Sequence, residues 1–227
     1  SRIADVGTDH GYIPVYLAQT GRIASALAMD VRSGPLERAQ AHVREYEERE
    51  RARRQDVWAV PIHLRLSDGL KELKPGEADT VIIAGMGGEL IIKILDEGRH
   101  VWDSVKQFVL SPQSDLDKVR RYLAAHGFAI EDEAMVKDEG KYYTVMSVKR
   151  GFMEYESQAH YLYGKILIDK KDVILREYLG REMLRIEKIL VSLQEKDGIT
   201  DTETRAEARI SRQKELSWIK EAQDEMQ

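Results

Sequence analysis

The sequence predicts an α/β domain with a doubly wound, mostly parallel sheet, followed by a domain made of helices. Through about residue 150, short apolar runs alternate with stretches of helical periodicity, which is typical of parallel strands joined by crossover helices. After residue 152, glycine becomes rare, proline is absent and apolar residues recur at helical spacing. We therefore predict two domains, residues 1–151 and residues 152–227.

The elements of the first domain follow one another in a regular order. The predicted strands of its parallel part are residues 2–6, 24–30, 62–66, 80–84 and 107–110, and the helices between them are residues 11–19, 34–54, 88–97 and 115–125. Two further strand-like runs, residues 129–137 and 142–150, are joined by Asp138, Glu139 and Gly140. A short polar turn that contains glycine predicts an antiparallel hairpin, which would close the sheet.

The second domain is predicted to be an antiparallel pair of helices. Apolar residues of the first helix recur at alternating spacings of four and three, as in a coiled-coil seam: Leu179, Met183, Ile186, Leu190 and Leu193. Residues 196–198 interrupt the pattern, and Thr200 or Thr202 can cap a returning helix. The apolar positions of that helix are Ala206, Ile210, Leu216, Ile219, Ala222 and Met226. We expect the two helices to bury these positions against each other.

Composition excludes several classes of function. With 35 basic and 40 acidic residues the formal net charge is -5, so any nucleic-acid contact must come from local patches. The chain has 0 cysteines, which excludes disulfides, thiolate catalysis and cysteine zinc sites, and it has no apolar run long enough to span a membrane. We expect a cytoplasmic monomer without a metal. Because the chain starts without Met and almost directly on a strand, we also expect a helix upstream of it.

Polar and glycine residues follow successive strands, at the edge where open α/β sheets bind ligands. In DVGTDHG, Gly7 permits a tight turn and Gly11 lets the next helix pack close to the strand. Asp30 ends the second strand, where a carboxylate can accept hydrogen bonds from ribose hydroxyls. Asp68 and Gly69 follow the third strand and can meet the amine of an adenine.

The loop after the fourth strand, AGMGG at residues 84–88, leaves space beside such a ligand for a substrate base. Each of these features alone has a plainer explanation, as a turn, a solvated strand end or a helix cap. Together, in the right order at four strand ends, they predict a ligand site.

Asp9 indicates what kind of ligand this is. A loop that cradles phosphates needs free amides and a helix N-terminus, and a carboxylate there would repel the anion. S-Adenosylmethionine has no phosphates and carries a sulfonium and an ammonium group, which an aspartate attracts. The sequence therefore favours this methyl donor over a nicotinamide dinucleotide.

The motifs DVGTDHGYIP, AMDVRSGPLERA, LSDGL, IIAGMGGELI and LSPQSD resemble the TrmK family of bacterial tRNA adenine-N1 methyltransferases, which act on adenosine 22 of tRNA. The resemblance covers nearly the whole chain. It implies a class I Rossmann-like methyltransferase domain, S-adenosylmethionine as the donor, tRNA as the partner and a coiled-coil-like C-terminal domain. Two features depart from the family: the missing helix before the first strand, and a longer, more charged stretch at residues 47–56.

The resemblance and the strand-end argument together give the expected site residues. Those expected to hold the donor are Gly7, Asp9, His10, Gly11, Asp30, Val31, Asp68, Gly69, Gly85 and Met86. Those expected to contact the substrate are Tyr12, Gly87, Gly88, Arg53 and Arg54. His10 and Tyr12 could each touch the donor, stack on the target base or simply pack at the start of a helix.

Asp9 is also the candidate catalytic residue. N1 of neutral adenine already has a lone pair, so the chemistry needs mainly alignment and exclusion of water. The methylated ring is cationic, and a nearby carboxylate would stabilise that charge or accept a proton from the exocyclic nitrogen. The alternative is that Asp9 only binds the ammonium group of the donor or caps the helix.

Basic clusters are the candidate RNA contacts. RARR at residues 51–54 follows the acidic EYEERE, so it is either a phosphate contact or a solvated helix end. Further candidates are Lys118, Arg120, Arg121, Arg181, Arg185 and Lys188. Three other functions stay open at this point: methylation of a small molecule, a non-enzymatic binder that recruits a partner, and, more distantly, an oxidoreductase.

Overall fold

The structure is a computed structural model that describes residues 1–53, 59–195 and 202–227. The chain divides into two compact units. The first comprises Ser1–Asp132 and Val145–Met153, and the second comprises Glu133–Thr144 and Glu154–Gln227. The second unit thus includes the tip of the hairpin that we assigned to the first domain. The boundary between residues 151 and 152 as a limit of independently folding domains stays a prediction.

A seven-stranded sheet with the order β3-β2-β1-β4-β5-β7-β6 organises the structure. The strands are β1 Arg2–Val6, β2 Ser25–Asp30, β3 Ile62–Leu66, β4 Thr80–Met86, β5 Gln107–Pro112, β6 Phe128–Asp138 and β7 Lys141–Arg150. β1 pairs in parallel with both β2 and β4, so the strand order reverses beside β1. β7 pairs antiparallel to β5. This is the doubly wound sheet closed by a hairpin that the sequence predicts.

Crossover helices connect the parallel strands. They are α1 Tyr12–Gln19, α2 Ser33–Arg53, α3 Gly88–Glu97 and α4 Leu116–Ala125. Apolar residues of β1, β2, β3, α1 and α2 form one core cluster, in which Ala28 of β2 and Val43 of α2 are almost fully buried. The central strands are therefore covered by helices, as a parallel sheet requires.

Strands β4 and β5 each extend two residues beyond their predicted ends, to Met86 and Pro112. The register between them shifts at Ala84 and Met86, and Gly85 between these two has φ +74°. Glycine adopts that angle without strain, so a bulge lets pairing continue where the sequence suggests a loop. Arg54, the predicted last residue of α2, lies outside the described residues.

In the second unit, a short helix α5 Lys165–Asp169 precedes two long helices, α6 Val173–Glu195 and α7 Thr202–Glu225. The core of this unit includes Leu179 and Ile186 of α6, and Ile219 and Ala222 of α7. Ala206 is exposed and Ile210 is 53% exposed, so these two predicted seam positions are not buried in the protein. Coiled-coil packing of α6 and α7 stays a prediction.

None of the helices in the described ranges combines the length and apolar character needed to cross a membrane. Within the same ranges, no three His, Asp or Glu side chains are grouped so that they could hold a metal ion.

Candidate functional site

The strand register brings four loops to one edge of the sheet. Val6 of β1 is level with Met29 of β2 and with Ile83 of β4, and Asp30 is level with Leu66 at the end of β3. The loops that follow these strands therefore begin side by side. They contain nearly all of the residues expected to hold the donor, at the edge where such sheets bind ligands.

The loop after β1, residues 7–11, is predicted to hold the donor and is called the donor loop. It is fixed by its own backbone. The amides of Gly7 and Thr8 both donate to the carbonyl of Met29, at 2.9 Å each, and the amide of Gly11 donates to the carbonyl of Thr8 at 2.8 Å. Gly11 has φ +71°, and a Cβ there would lie 3.3 Å from Cβ of Ala39 on α2. Glycine thus provides both the turn and the close packing of α1 on α2.

Gly7 and Met86 meet across this edge. A Cβ built on Gly7 would lie only 2.1 Å from Cε of Met86, and Gly7 has φ +73°. A larger residue at position 7 would therefore displace the methionine and strain the backbone. Met86 packs against the first loop, a contact that the sequence does not reveal.

Asp9 lies in a small polar cluster and has the left-handed φ of +49°. Its amide donates to Oδ2 of Asp30 at 3.3 Å, and its Oδ1 accepts from Nη2 of Arg38 at 3.2 Å. Nε of Arg38 also donates to Nε2 of His10, at 3.2 Å, so in this arrangement the proton of His10 is on Nδ1. The guanidinium group of Arg38 therefore holds the side chains of both Asp9 and His10.

Arg38 is a residue that our reasoning from sequence missed. It stands inside the quoted motif AMDVRSGPLERA, on the second turn of α2. The available signal was its position in that motif, but nothing in the spacing indicates a contact with Asp9.

Asp30 is largely buried and its carboxylate is partly engaged. Oδ1 accepts from the amide of Arg32 at 3.0 Å, and Oδ2 accepts from the amide of Asp9. Each carboxylate oxygen has a second lone pair, so both can still accept a hydroxyl proton. Val31 beside it and Leu66 on β3 are exposed apolar residues, at 57% and 58%.

Asp5 is the other residue that the sequence did not reveal. It is buried at the end of β1, and Oγ1 of Thr8 donates to its Oδ2 at 2.6 Å. Burial raises the pKa of Asp5 to about 6. The hydrogen bond from Thr8 acts in the opposite direction and lowers this pKa, whereas the negative charge of Asp30 also raises it. A carboxyl group with such a perturbed pKa next to the donor loop is typical of functional sites.

Asp68 follows β3 as expected, but its exposed carboxylate forms an ion pair with Lys71. The hydrogen bond from Lys71 and its charge hold the pKa of Asp68 below the usual value. Gly69 has φ +60°, and a Cβ there would lie 3.1 Å from Ile94 of α3. Gly69 is therefore required by the turn and by packing, whatever it binds.

Gly87 is the N-cap of α3 and Gly88 is its first residue, and the space beside Gly88 is already filled. Its amide donates to the carbonyl of Ser114 at 3.1 Å, and a Cβ on Gly88 would lie 2.5 Å from that oxygen. The close approach of the segment after β5 explains this glycine by packing alone. Substrate contacts of Gly87 and Gly88 stay predictions.

Tyr12 is 64% exposed and starts α1 immediately after the donor loop. Its ring stacks on His10 with centroids 5.5 Å apart and contacts His42 of α2 at 4.7 Å. It opens onto a groove of about 390 Å³ between α1 and α2. The structure therefore brings Tyr12 to the expected edge.

The basic residues that the sequence predicts as RNA contacts differ in their exposure. Arg53 is exposed and lies 3.7 Å from Glu50, whereas Arg54 lies outside the described residues. Arg120 is fully buried, so our prediction that it contacts phosphate is wrong, because it lies on the inner face of α4. Lys118 is exposed but pairs with Glu89 and Asp115, which raise its pKa.

On α6, Arg185 donates to Glu182 at 2.7 Å, and Arg181 stacks over the ring of Tyr142 at 4.7 Å. Lys188 is exposed on the same helix. All three residues lie at the surface, and their role in RNA binding stays a prediction.

Comparison with known proteins gives the family. The profile of the TrmK family, described as tRNA (adenine(22)-N(1))-methyltransferase, matches residues 3–215. A tRNA (adenine(22)-N(1))-methyltransferase of Bacillus subtilis is 29% identical over 192 residues, which cover 82% of this chain and 76% of the relative.

Solved structures are similar over nearly the whole chain. The crystal structure of the B. subtilis tRNA methyltransferase TrmK superposes with a TM-score of 0.78 at 26% identity, covering 97% of this chain and 91% of the other. A Streptococcus pneumoniae protein in complex with S-adenosyl-L-methionine superposes with a TM-score of 0.78 at 29% identity, with coverage of 97% and 91%.

Proposed function

The chain belongs to the tRNA (adenine(22)-N(1))-methyltransferase family, and we propose that it transfers a methyl group from S-adenosylmethionine to N1 of adenosine 22 in tRNA. The family match over residues 3–215 is the observation that carries this proposal. The chemistry of the sheet edge supports it independently, because the edge presents carboxylates beside a glycine-rich turn.

The residues at the edge fit this donor better than a dinucleotide. The amides of Gly7, Thr8 and Gly11, which a pyrophosphate would need, already donate to carbonyls of the protein. Asp9 and Asp30 present carboxylate oxygens instead, which suit a cationic ligand with ribose hydroxyls.

We assign the donor-binding roles on this basis. Gly7, Asp9, His10 and Gly11 would surround the methionine part of the donor, and Asp30 would accept from its ribose. Val31 and Leu66 offer apolar surface for the adenine ring, next to Asp68 and Gly69. Gly85 and Met86 would close the site from the side of β4.

The protein has little proton transfer to perform. S-Adenosylmethionine supplies a methyl group activated by its sulfonium sulfur. The lone pair of N1 is free in neutral adenine, so the site must align this nitrogen and exclude water. The methylated ring is positively charged, and the carboxylate of Asp9 would stabilise this charge or accept a proton from the exocyclic nitrogen.

The target base must be accessible for this reaction. N1 lies on the edge that forms base pairs, so adenosine 22 must be unpaired or turned out of a helix. Tyr12, with its exposed ring beside the donor loop, is suited to stack on it. Gly87 would border the same pocket.

We propose that the enzyme acts as a monomer in the cytoplasm. The tRNA phosphates would contact Arg53, Arg54, Lys118, Arg121, Arg181, Arg185 and Lys188.

Methyl transfer with and without tRNA tests the proposed function. The protein is incubated with labelled S-adenosylmethionine, and label is measured in tRNA and in small molecules. We expect label only in tRNA, and only when tRNA is added. Turnover without RNA would favour a small-molecule methyltransferase, and donor binding without any turnover would favour a non-enzymatic binder.

A further inference from the structure

We propose that the groove between α1 and α2 binds an unpaired base of the tRNA other than the methylated adenine. This second RNA subsite rests on the proposed function and adds a contact to it. The occupant is a nucleobase stacked on Tyr16, with its backbone along the arginines of α2.

The size and walls of the groove suit a single base. Its volume of about 390 Å³ lies within the range of small-molecule sites. Tyr12, Tyr16 and Gln19 line it from α1, and His42, Glu45 and Arg49 line it from α2. The groove therefore combines aromatic faces with polar groups that can meet the edge of a base.

The two tyrosines form an exposed stacking surface. Tyr12 and Tyr16 are four residues apart on α1, so they share one face of the helix, and they are 64% and 57% exposed. His42 fixes the end near the donor loop, because its Nδ1 donates to the carbonyl of His10 at 3.0 Å and its ring contacts Tyr12. Bases stack readily on such rings without requiring a particular sequence.

The arginines of α2 follow the groove. Arg38, Arg49 and Arg53 are spaced by 11 and 4 residues, so they recur on the side of α2 that carries His42 and Glu45. Arg38 contacts the donor loop, Arg49 lines the groove and forms an ion pair with Glu45, and Arg53 lies one turn beyond it. A line of guanidinium groups beside aromatic rings fits a nucleic-acid strand better than a hydrophobic protein helix.

The position of the groove indicates which base it takes. It begins at Tyr12, beside the donor loop, and Tyr16 lies about 6 Å further along the helix. A base on Tyr16 would therefore be close in the RNA to the adenosine that is methylated. Holding a neighbouring base would help keep the target exposed.

Tyr16→Ala tests the subsite, with Tyr16→Phe as the conservative variant and Phe152→Ala as the control. Phe152 is an exposed aromatic residue of the same compact unit, at 82%. For Tyr16→Ala we expect tRNA affinity to fall roughly tenfold, because one stacked base is lost. Tyr16→Phe and Phe152→Ala should keep the wild-type affinity, and all variants should bind S-adenosylmethionine normally.

A second measurement locates the base. The fluorescent base 2-aminopurine, placed in turn at nucleotides next to position 22, should be quenched at one position by wild-type protein and not by Tyr16→Ala. Wild-type tRNA affinity in Tyr16→Ala, in a preparation where the wild type methylates tRNA, would overturn the subsite alone. Failure of the wild type to methylate tRNA would instead overturn the proposed function. A dimer that Tyr16→Ala dissociates would show that the groove holds a second copy, and would also overturn the proposal.

Discussion

At the scale of single residues, the surroundings of Asp9 determine what it can do. The sequence predicts a carboxylate in the donor loop, and the structure adds that Arg38 binds this carboxylate while the backbone amide of Asp9 donates to Asp30. Its side chain remains 60% exposed, so it can still reach a ligand. A carboxylate held in this way is prepared for a cation before the substrate arrives.

Replacing Asp9 by Asn separates catalysis from donor binding. Asparagine keeps the size of the side chain and removes its charge, so it would stabilise the methylated ring less well. We expect the single-turnover rate at saturating donor and tRNA to fall by roughly 100-fold, with donor affinity changed by only a few-fold. Asp103→Asn, at a fully exposed aspartate, is the control. A full rate in Asp9→Asn would restrict Asp9 to positioning the donor.

Asp5 makes the stability of the free protein depend on pH. Its pKa is raised from 3.8 to about 6, so the folded state binds more protons than the unfolded state between these values. Stability should therefore fall as pH rises from about 4 to about 6. Asparagine does not ionise, so Asp5→Asn does not lose stability in this way. Its free energy of unfolding should exceed that of the wild type by up to about 3 kcal/mol at pH 7.5, and the difference should vanish near pH 4.

Urea unfolding of both proteins across this pH range, without donor, measures the effect. A wild-type stability that rises relative to Asp5→Asn between pH 4 and pH 6 would contradict the raised pKa.

At the scale of elements, apolar runs bounded by turn residues were sufficient to predict the strands. β1 and β3 begin and end at the predicted residues. The helices α1 and α3 also end where predicted, at Gln19 and Glu97. The bulge at Gly85 could not be predicted, because it depends on how β4 pairs with β5. Periodicity also could not separate α5 from α6, since the break between them depends on Lys171 with φ +52°.

Two glycines in helices should respond to alanine in opposite ways. In Gly88→Ala, the new Cβ would lie 2.5 Å from the carbonyl oxygen of Ser114, so we expect a loss of about 2 kcal/mol or more. At Gly180 of α6 nothing lies within 4 Å, and alanine favours the helix, so Gly180→Ala should gain about 0.5 to 1 kcal/mol. Chemical denaturation measures both changes. Equal stability of the two variants would mean that the segment after β5 does not pack against α3 as described.

At the scale of the whole molecule, the order of motifs along the chain was enough to predict the topology and to place the candidate site at one edge of the sheet. Contacts between distant segments were not predictable, because Arg38, Met86 and Ser114 acquire their roles only when the sheet brings their elements together. Charge patches were the least predictable feature. The sequence does not distinguish the buried Arg120 from its exposed neighbour Arg121.

Because the net charge is -5, any binding of tRNA phosphates must come from local basic groups, and the salt dependence of binding should report them. We expect tRNA affinity to fall steeply as salt rises, and Arg53→Gln to reduce the slope of log K against log salt by about 0.7 to 0.9. Lys106→Gln is the control, since Lys106 precedes β5 and lies at the opposite edge of the sheet. An unchanged slope in Arg53→Gln would remove Arg53 from the RNA contacts.

The position and identity of the methylated base distinguish N1 methylation of adenosine 22 from every other methyl transfer. Unmodified tRNA transcripts are incubated with the protein and S-adenosylmethionine, and the product is digested to nucleosides and mapped by mass spectrometry. We predict one N1-methyladenosine at position 22, and none when guanosine replaces the adenosine there. Methylation at another position, or persistence of the product in the guanosine transcript, would contradict the account.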